Sequence, residues 1–328
     1  MSDSSFPTVR LRRLRRSKKV RELLQEVRLS TSDLIAPVFV QENVSKPENI
    51  ESLPGMMRLP LERVTDEVRE ITSLGIPAVI LFGLPEKKDE LGTSAYDDNG
   101  IVQKAVSLIR KEIGDDVAIV TDVCLCQYTT KAHCGLVNDS IIDNDSSIDT
   151  LAKIAVSHAR AGADIVAPSS MMDGQVKAIR EGLDDKSFKD VAIMAYSAKH
   201  ASPLYAPFRD VAHSTPKFGD RKSYQLSYTN PNEAIREIEL DISEGADIVM
   251  VKPAIAYLDL IYVVKNMFHL PLAAYSVSGE YALVKAAARQ GVIDEDAIVL
   301  ELLTSIKRAG ADIIITYFAK QASRLKSP

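Results

Sequence analysis

From Ser32 onward, short runs of apolar and often β-branched residues alternate with stretches whose apolar residues recur every three or four positions. The short runs fit strands buried on both faces, as in a parallel sheet, and the recurrent stretches fit helices with one covered face. Strand candidates lie at 34–40, 78–82, 118–124, 164–167, 192–196, 248–251, 272–276 and 313–317. Helical patterns fall between them at 64–74, 101–113, 148–161, 232–244, 257–267 and 296–309. One helix opens with Asn230-Pro231-Asn232-Glu233, a capping residue, a first-turn proline and a glutamate at the third position. Three helix-to-strand joins repeat one another: Gly162-Ala163-Asp164-Ile165, Gly245-Ala246-Asp247-Ile248 and Gly310-Ala311-Asp312-Ile313. The glycine suits a left-handed helix cap, and the uneven spacing of the repeats excludes a solenoid. Eight strands alternating with helices predict an α/β fold of the (β/α)8 TIM-barrel type. No Gly-x-Gly-x-x-Gly follows the first strand, which counts against a doubly wound dinucleotide fold.

Residues 1–30 stand outside this alternation and are expected to form an N-terminal arm; residues 31–328 form the catalytic barrel, with a lid loop at 200–230. The arm carries Arg10, Arg12, Arg13, Arg15, Arg16, Lys18, Lys19 and Arg21, with a short helical stretch at 18–28. The whole chain is nevertheless acidic, with a net charge of −5 and a pI near 5.7, so no general nucleic-acid binder is expected. A basic arm on an acidic body is better matched to docking on another subunit. The three cysteines, Cys124, Cys126 and Cys134, are odd in number and lie close together, which speaks for a reducing compartment rather than a disulfide framework. No apolar signal region and no run of about 18 apolar residues is present, so a soluble cytoplasmic protein without membrane contact is expected.

Active groups of a TIM barrel sit at the C-terminal ends of its strands. The strand Ile248-Val249-Met250-Val251 ends in Lys252 and Pro253, and Ala192-Ile193-Met194-Ala195-Tyr196 leads to Lys199 one unit earlier. A strongly hydrated charge at the end of a buried strand is costly unless its amine is used or paired. One such lysine would ordinarily reach for solvent or a carboxylate. Two on neighbouring strands, about 4.8 Å apart, each make the other harder to protonate, and an apolar barrel mouth disfavours both charges. Amines brought close to neutrality attack ketones to give Schiff bases, so two lysines suggest two carbonyl substrates held side by side.

Asp122, Cys124 and Cys126 alternate along and just beyond the third strand, so they share a face. With Cys134 the two cysteines could form a three-thiolate zinc site with an open fourth position, the pattern of a catalytic metal; buried inert thiols are the plainer alternative. The 200–230 stretch is longer than ordinary loops and mixes aromatic with basic residues. Arg209 and Arg221 within it are candidates for gripping an acidic substrate, because guanidinium forks clamp carboxylates. Ser169, Ser278 and Tyr317 also fall at strand ends.

These residues resemble those of the porphobilinogen synthase (5-aminolaevulinate dehydratase) family over nearly the whole chain. The likeness is carried by Asp122-Val123-Cys124-Leu125-Cys126-Gln127-Tyr128 through His133-Cys134-Gly135, by Tyr196-Ser197-Ala198-Lys199, by Met250-Val251-Lys252-Pro253-Ala254 and by Ser276-Val277-Ser278-Gly279-Glu280-Tyr281. The resemblance implies a hydro-lyase of tetrapyrrole and haem biosynthesis that condenses two 5-aminolaevulinate molecules asymmetrically to porphobilinogen through lysine Schiff bases. By the same likeness, Lys252 holds the first substrate, with Ser278 and Tyr317 on its carboxylate. Lys199 holds the second, with Arg209, Arg221 and Gln225 on its carboxylate. Asp122 and Ser169 position the retained amino group beside zinc on Cys124, Cys126 and Cys134. Glu237 matches a position that binds an allosteric magnesium ion in some members, although on sequence alone it reads as an exposed helix carboxylate. Members are commonly homo-octamers in which the arm wraps a neighbour. Lys131-Ala132 stand where the family often carries His-Gly. A lyase using one Schiff base would leave Lys199 and the cysteines unexplained, and a non-catalytic zinc-bound assembly protein would leave both lysines unexplained.

Overall fold

The structure is a computed structural model that describes residues 6–325. The first residues of the expected arm and the last of the expected barrel lie outside that range. Eight parallel strands form the core: β1 (Leu34–Gln41), β2 (Ala78–Leu84), β3 (Ala118–Val123), β4 (Ile165–Pro168), β5 (Ala192–Lys199), β6 (Ile248–Lys252), β7 (Leu272–Ser276) and β8 (Ile313–Thr316). Each pairs with the next, and β1 closes the ring on β8 with Leu34 opposite Ile314 and Ile35 opposite Ile315. The chain is thus a closed (β/α)8 barrel. Near-continuous burial along every strand explains why they read as apolar runs rather than alternating ones.

The outer ring comprises α1 (Val64–Ser73), α2 (Ile101–Ile113), α3 (Asn144–Ala161), α4 (Gln175–Asp185), α5 (Pro231–Glu244), α6 (Leu258–Met267), α7 (Ser278–Arg289) and α8 (Glu295–Ala309), followed by the short α9 (Ala319–Arg324). The repeated Gly-Ala-Asp joins have one physical origin. Gly162, Gly245 and Gly310 end α3, α5 and α8 with φ of 109°, 105° and 122°. The aspartate two residues later then reaches sideways to the start of the preceding strand. Asp164 accepts the Ile119 N–H at 2.6 Å, Asp247 that of Ile193 at 2.8 Å and Asp312 that of Leu272 at 2.9 Å. Each carboxylate therefore satisfies a strand-end donor that the ladder would otherwise leave open. The stem of a basic residue on a neighbouring helix lies over each glycine. A Cβ would stand 2.9 Å from Arg110 at Gly162, 3.2 Å from Arg180 at Gly245 and 2.7 Å from Lys265 at Gly310. Only the residue without a side chain meets both demands.

Several boundaries differ from the sequence expectation. α4 and α7 were not anticipated, nor were a hairpin of Leu136–Asn138 with Ile141–Asp143 and a small extension of the sheet, Glu48–Asn49 and Met57–Leu59. α3 starts four residues before 148 because Asp143 caps it, accepting the Ser146 N–H at 3.1 Å, and its first turn is polar. Asn230 precedes α5 without capping it; its carboxamide donates instead to Glu233 at 3.0 Å. The helix of the arm covers only Lys18–Leu23, preceded by a 3-10 turn at Leu11–Arg15, and neither contains a buried residue. The 200–230 stretch holds a 3-10 turn, Pro203–Tyr205, and a short helix, Ala206–Val211. Among the described residues, no helix is long and apolar enough to cross a membrane.

Candidate active site at the barrel mouth

β5 and β6 end together, with Lys199 directly opposite Lys252 in the pairing register. Both are buried, at 5% and 7% exposure. The Lys252 ammonium position is surrounded by aromatic rings, 4.1 Å from the centroid of Tyr275, 4.9 Å from Tyr196, 5.3 Å from Tyr205 and 5.7 Å from Phe208. Burial and then the neighbouring Lys199 charge push the Lys252 amine down to about 7, while Asp122 and the cysteine sulfurs act in the other direction. Ring faces offer a cation some attraction, but they cannot replace water, and desolvation wins. Lys199 donates a short hydrogen bond to the Ser169 carbonyl.

A cavity opens over these two amines at the barrel mouth. Phe82, Asp122, Cys124, Cys126, Gln127, Ser169, Tyr205, Phe208, Arg209, Arg221, Tyr275, Val277, Ser278 and Tyr317 complete its lining. The anticipated lysines, both arginines, Asp122, Ser169, Ser278, Tyr317 and two of the three cysteines therefore meet in one place. Three anticipated residues do not line it: Cys134, Gln225 and Glu237. Gln225 faces an adjoining cavity together with Glu237, Asp173 and Glu233, and its buried carboxamide has no partner. Glu237 itself is half-buried rather than exposed, and burial followed by Asp173, Glu233 and Glu244 raises its pKa.

The polar groups are held in definite ways. Asp122 accepts from the Gln127 amide at 3.1 Å and is pushed up to about 6, by burial and then by Cys124. Ser278 Oγ accepts the Phe208 N–H at 3.1 Å and donates to the Leu204 carbonyl at 3.2 Å, joining the start of α7 to the 200–230 segment. The Tyr317 and Tyr275 hydroxyls lie 3.2 Å apart. Arg221 donates to the carbonyls of Ala132 at 3.0 Å and Ser214 at 2.6 Å. Its burial would lower its pKa, but Cys134 and the other sulfurs more than offset this and the guanidinium is held charged. The Nε atoms of Arg209 and Arg221 are both buried without a partner, spare donor capacity beside the cavity.

Cys124 and Cys126 follow β3, and Cys134 returns from the next loop. Their sulfur atoms all lie within 4.8 Å of one another, with Cys124 and Cys126 at 3.4 Å. All three are free thiols; that separation is far beyond a disulfide bond of about 2.05 Å. Zinc–sulfur bonds of about 2.3 Å in a tetrahedron would set the sulfurs about 3.8 Å apart, so the donor set and its spacing fit a thiophilic metal. Mutual hydrogen bonding with Cys124 is the leading influence on the other two thiols, raising Cys126 and lowering Cys134, the latter helped by Arg221 and Lys199. A thiol already inclined to ionise is a better ligand.

Tyr205, Phe208, Tyr275, Phe82 and Gln127 were not singled out as site residues. The aromatics read as core or loop residues, and only the closed barrel puts them around an amine. Glu280 was missed as well. It accepts the N–H groups of Ile255 at 2.7 Å and Val277 at 2.6 Å, tying the turn after Lys252 to the start of α7. Lys131-Ala132, the departure noted in the sequence, places Ala132 at φ 58°. That is left-handed backbone, costly for any residue with a Cβ and comfortable for glycine.

The family model described as Delta-aminolevulinic acid dehydratase matches residues 8–325. The chain is 57% identical over 318 residues to the delta-aminolevulinic acid dehydratase of Archaeoglobus fulgidus, covering 97% of this chain and 98% of that one. It is 54% identical to the Bacillus subtilis protein of the same name, covering 96% of this chain and 97% of that one. Among solved structures, that of the delta-aminolevulinic acid dehydratase (porphobilinogen synthase) of Toxoplasma gondii ME49, in complex with the reaction product porphobilinogen, superposes with a TM-score of 0.94. It shares 42% identity and covers 98% of this chain and 95% of that one.

Proposed function

The chain belongs to the delta-aminolevulinic acid dehydratase family, lyases of tetrapyrrole biosynthesis, and we infer that its barrel mouth condenses two molecules of 5-aminolaevulinate to porphobilinogen with loss of water. The observation that carries this reading is the register pair Lys199–Lys252, two buried amines in one cavity, one of them held near neutrality. An amine at about 7 is substantially unprotonated at neutral pH and can add to the ketone of the first substrate. Loss of water then leaves an imine on Lys252, whose aromatic surround excludes bulk water from the bond. Ser278 and Tyr317 lie at the β7 and β8 ends, where they can receive that substrate's carboxylate.

Lys199 forms the second imine, on the far side of the register pair. Arg209 and Arg221 grip the second carboxylate; their unpartnered Nε donors are the support for this role. Gln225 contributes from the adjoining cavity, by way of the backbone turn that follows Arg221, rather than from the cavity wall. Asp122 and Ser169 flank Lys199 and orient the amino group that the product retains. Cys124, Cys126 and Cys134 hold zinc, a choice favoured by an all-sulfur donor set. When bound, such a cation supplies Lewis acidity to a carbonyl or water at the cavity wall. Glu237, among carboxylates that raise its pKa, is the candidate for a separate magnesium ion. The exposed leucines of the arm, Leu11, Leu14 and Leu23 at 64%, 53% and 77%, favour its docking on a neighbouring subunit, within an octamer.

Borohydride reduction in the presence of 5-aminolaevulinate tests the central step. The substrate's mass should appear on the peptide containing Lys252. Label elsewhere, or none, would sink this mechanism.

A further inference from the structure

Two of the three cysteines follow directly on β3, but Cys134 is delivered by a more distant loop, and that loop is held from the 200–230 segment. The Lys217 N–H donates to the Lys131 carbonyl at 3.1 Å, and Arg221 donates to the Ala132 carbonyl at 3.0 Å. Tyr224 reaches the cluster itself: its side chain packs against the three cysteines, and its hydroxyl accepts the Cys134 N–H at 3.4 Å. The same hydroxyl lies 3.0 Å from His133 Nδ1, while His133 Nε2 lies 3.1 Å from the Phe218 carbonyl. A carbonyl can only accept, so Nε2 carries the proton in the neutral ring and Nδ1 accepts from Tyr224. One chain of bonds therefore runs from Cys134 N–H through the Tyr224 hydroxyl and the His133 ring to the backbone at Phe218. Ala132, at φ 58°, adopts a backbone conformation that persists in such a residue only where its surroundings over-determine it.

We propose that Tyr224 is a positioning residue that latches the 200–230 lid to the loop bearing Cys134, so that lid closure and metal retention on the three cysteines favour each other. Opening the lid removes the partner of the Cys134 N–H and loosens the one ligand that the barrel does not fix. A metal on all three sulfurs fixes Cys134 in return and holds the C-terminal half of the lid down. Coupling of this kind is reciprocal, so the factor by which closure tightens metal binding equals the factor by which metal favours closure.

The proposal rests on the cysteines holding a metal, and its test reports on both statements separately. Full-length protein and its Tyr224→Phe variant are compared, because phenylalanine keeps the ring on the sulfurs and deletes only the hydroxyl. Metal affinity is read by competition between a chelator and Zn²⁺, with the thiolate absorption of bound Co²⁺ as a second signal. Lid closure is read from the rate of trypsin cleavage at Lys217 and Lys222, both exposed on the lid, with and without metal. In the unmutated protein, metal should slow lid cleavage severalfold. In Tyr224→Phe that protection should largely vanish and metal affinity should fall on the order of tenfold, the scale of a lost buried hydrogen bond with its partners orphaned. A merely structural role would speed cleavage equally with and without metal and leave the protection ratio intact, which overturns the latch. Equal cleavage of the unmutated protein with and without metal overturns it too, whatever the variant does. Failure of the unmutated protein to bind metal at all would overturn the latch and the metal reading together; bound metal without lid protection overturns the latch alone.

Discussion

Replacing Lys199 with methionine separates the two causes that depress the Lys252 amine, since methionine keeps most of the length and none of the charge. Burial is the larger cause and Lys199 the second, and the amine stands at about 7 against an ordinary 10.5. Neighbouring strands lie about 4.8 Å apart. Two ammonium groups about 5 Å apart repel by about 3 kcal/mol at an effective dielectric of about 20, equivalent to about two pKa units. Asp122 and the cysteine sulfurs pull the other way, so the net rise in the variant should be about one to two units and should stop short of the value in water. The assay is the initial rate of borohydride-trapped imine on Lys252 with 5-aminolaevulinate, followed from acid to alkaline pH. That rate should climb through a midpoint near 7 in the unmutated protein and through a midpoint one to two units higher in Lys199→Met. At neutral pH the variant should therefore label Lys252 about 5- to 50-fold more slowly, and recover at alkaline pH. An unmoved midpoint would mean that burial alone sets this amine and that the paired-lysine reasoning is wrong.

Lys252→Met should abolish turnover yet raise stability. The folded amine titrates below the unfolded one, so its penalty is complete below about pH 7 and gone above about 10.5. The upper bound on the gain is roughly 5 kcal/mol at neutral pH, and the excess thermal midpoint over the unmutated protein should shrink as pH rises between those limits. Arg209→Ala should weaken the second substrate roughly 10- to 200-fold, the scale of a desolvated charge-assisted bond, while single-turnover labelling of Lys252 survives; collapse of that labelling would count against a second-substrate clamp. Alanine at Cys124, Cys126 or Cys134 should remove bound metal and turnover together and leave the Lys252 imine, as read by metal analysis and borohydride mass. Removing residues 1–28 should shrink the particle in sedimentation while the barrel stays folded; an unchanged size would refute the assembly role of the arm.

The strands were legible because a parallel barrel buries both faces of each one, which leaves an uninterrupted apolar run that nothing else in a chain of this composition imitates. Recognition of the helices did not follow the strength of their apolar stripe alone, since α4 has a clear one and was still missed. α4 offers Val176, Ile179 and Leu183 among charged residues and carries Gly182 in its interior. α7 begins with Ser278-Gly279, which resembles a loop; a Cβ on Gly279 would stand 2.5 Å from the backbone of Leu204, a demand visible only once the 200–230 segment is in place. The cysteines and lysines could be gathered because each ends a recognisable strand or closely follows one. Arg221 could be named, but its anchoring to Ala132 could not, since that contact joins loops distant in sequence.

The site itself depends on one irregularity that no periodicity reveals. Side chains alternate along a strand, so residues three apart, such as Tyr196 and Lys199, should face opposite sides. Yet the Tyr196 ring lies beneath both amines, 5.6 Å from Lys199 Nζ and 4.9 Å from Lys252 Nζ. The pairing of β5 with β6 shows how. Ala195 lies opposite Val249 and Ala198 opposite Val251, so β5 spends three residues where β6 spends two. This extra residue is a bulge, and bulges re-aim the side chains that follow them. Without it, the register that sets Lys199 against Lys252 would turn either the lysine or the tyrosine out of the barrel. The apolar ring that desolvates Lys252 and the second amine that repels it can therefore act on the same atom only because the strand is irregular between Ala195 and Ala198.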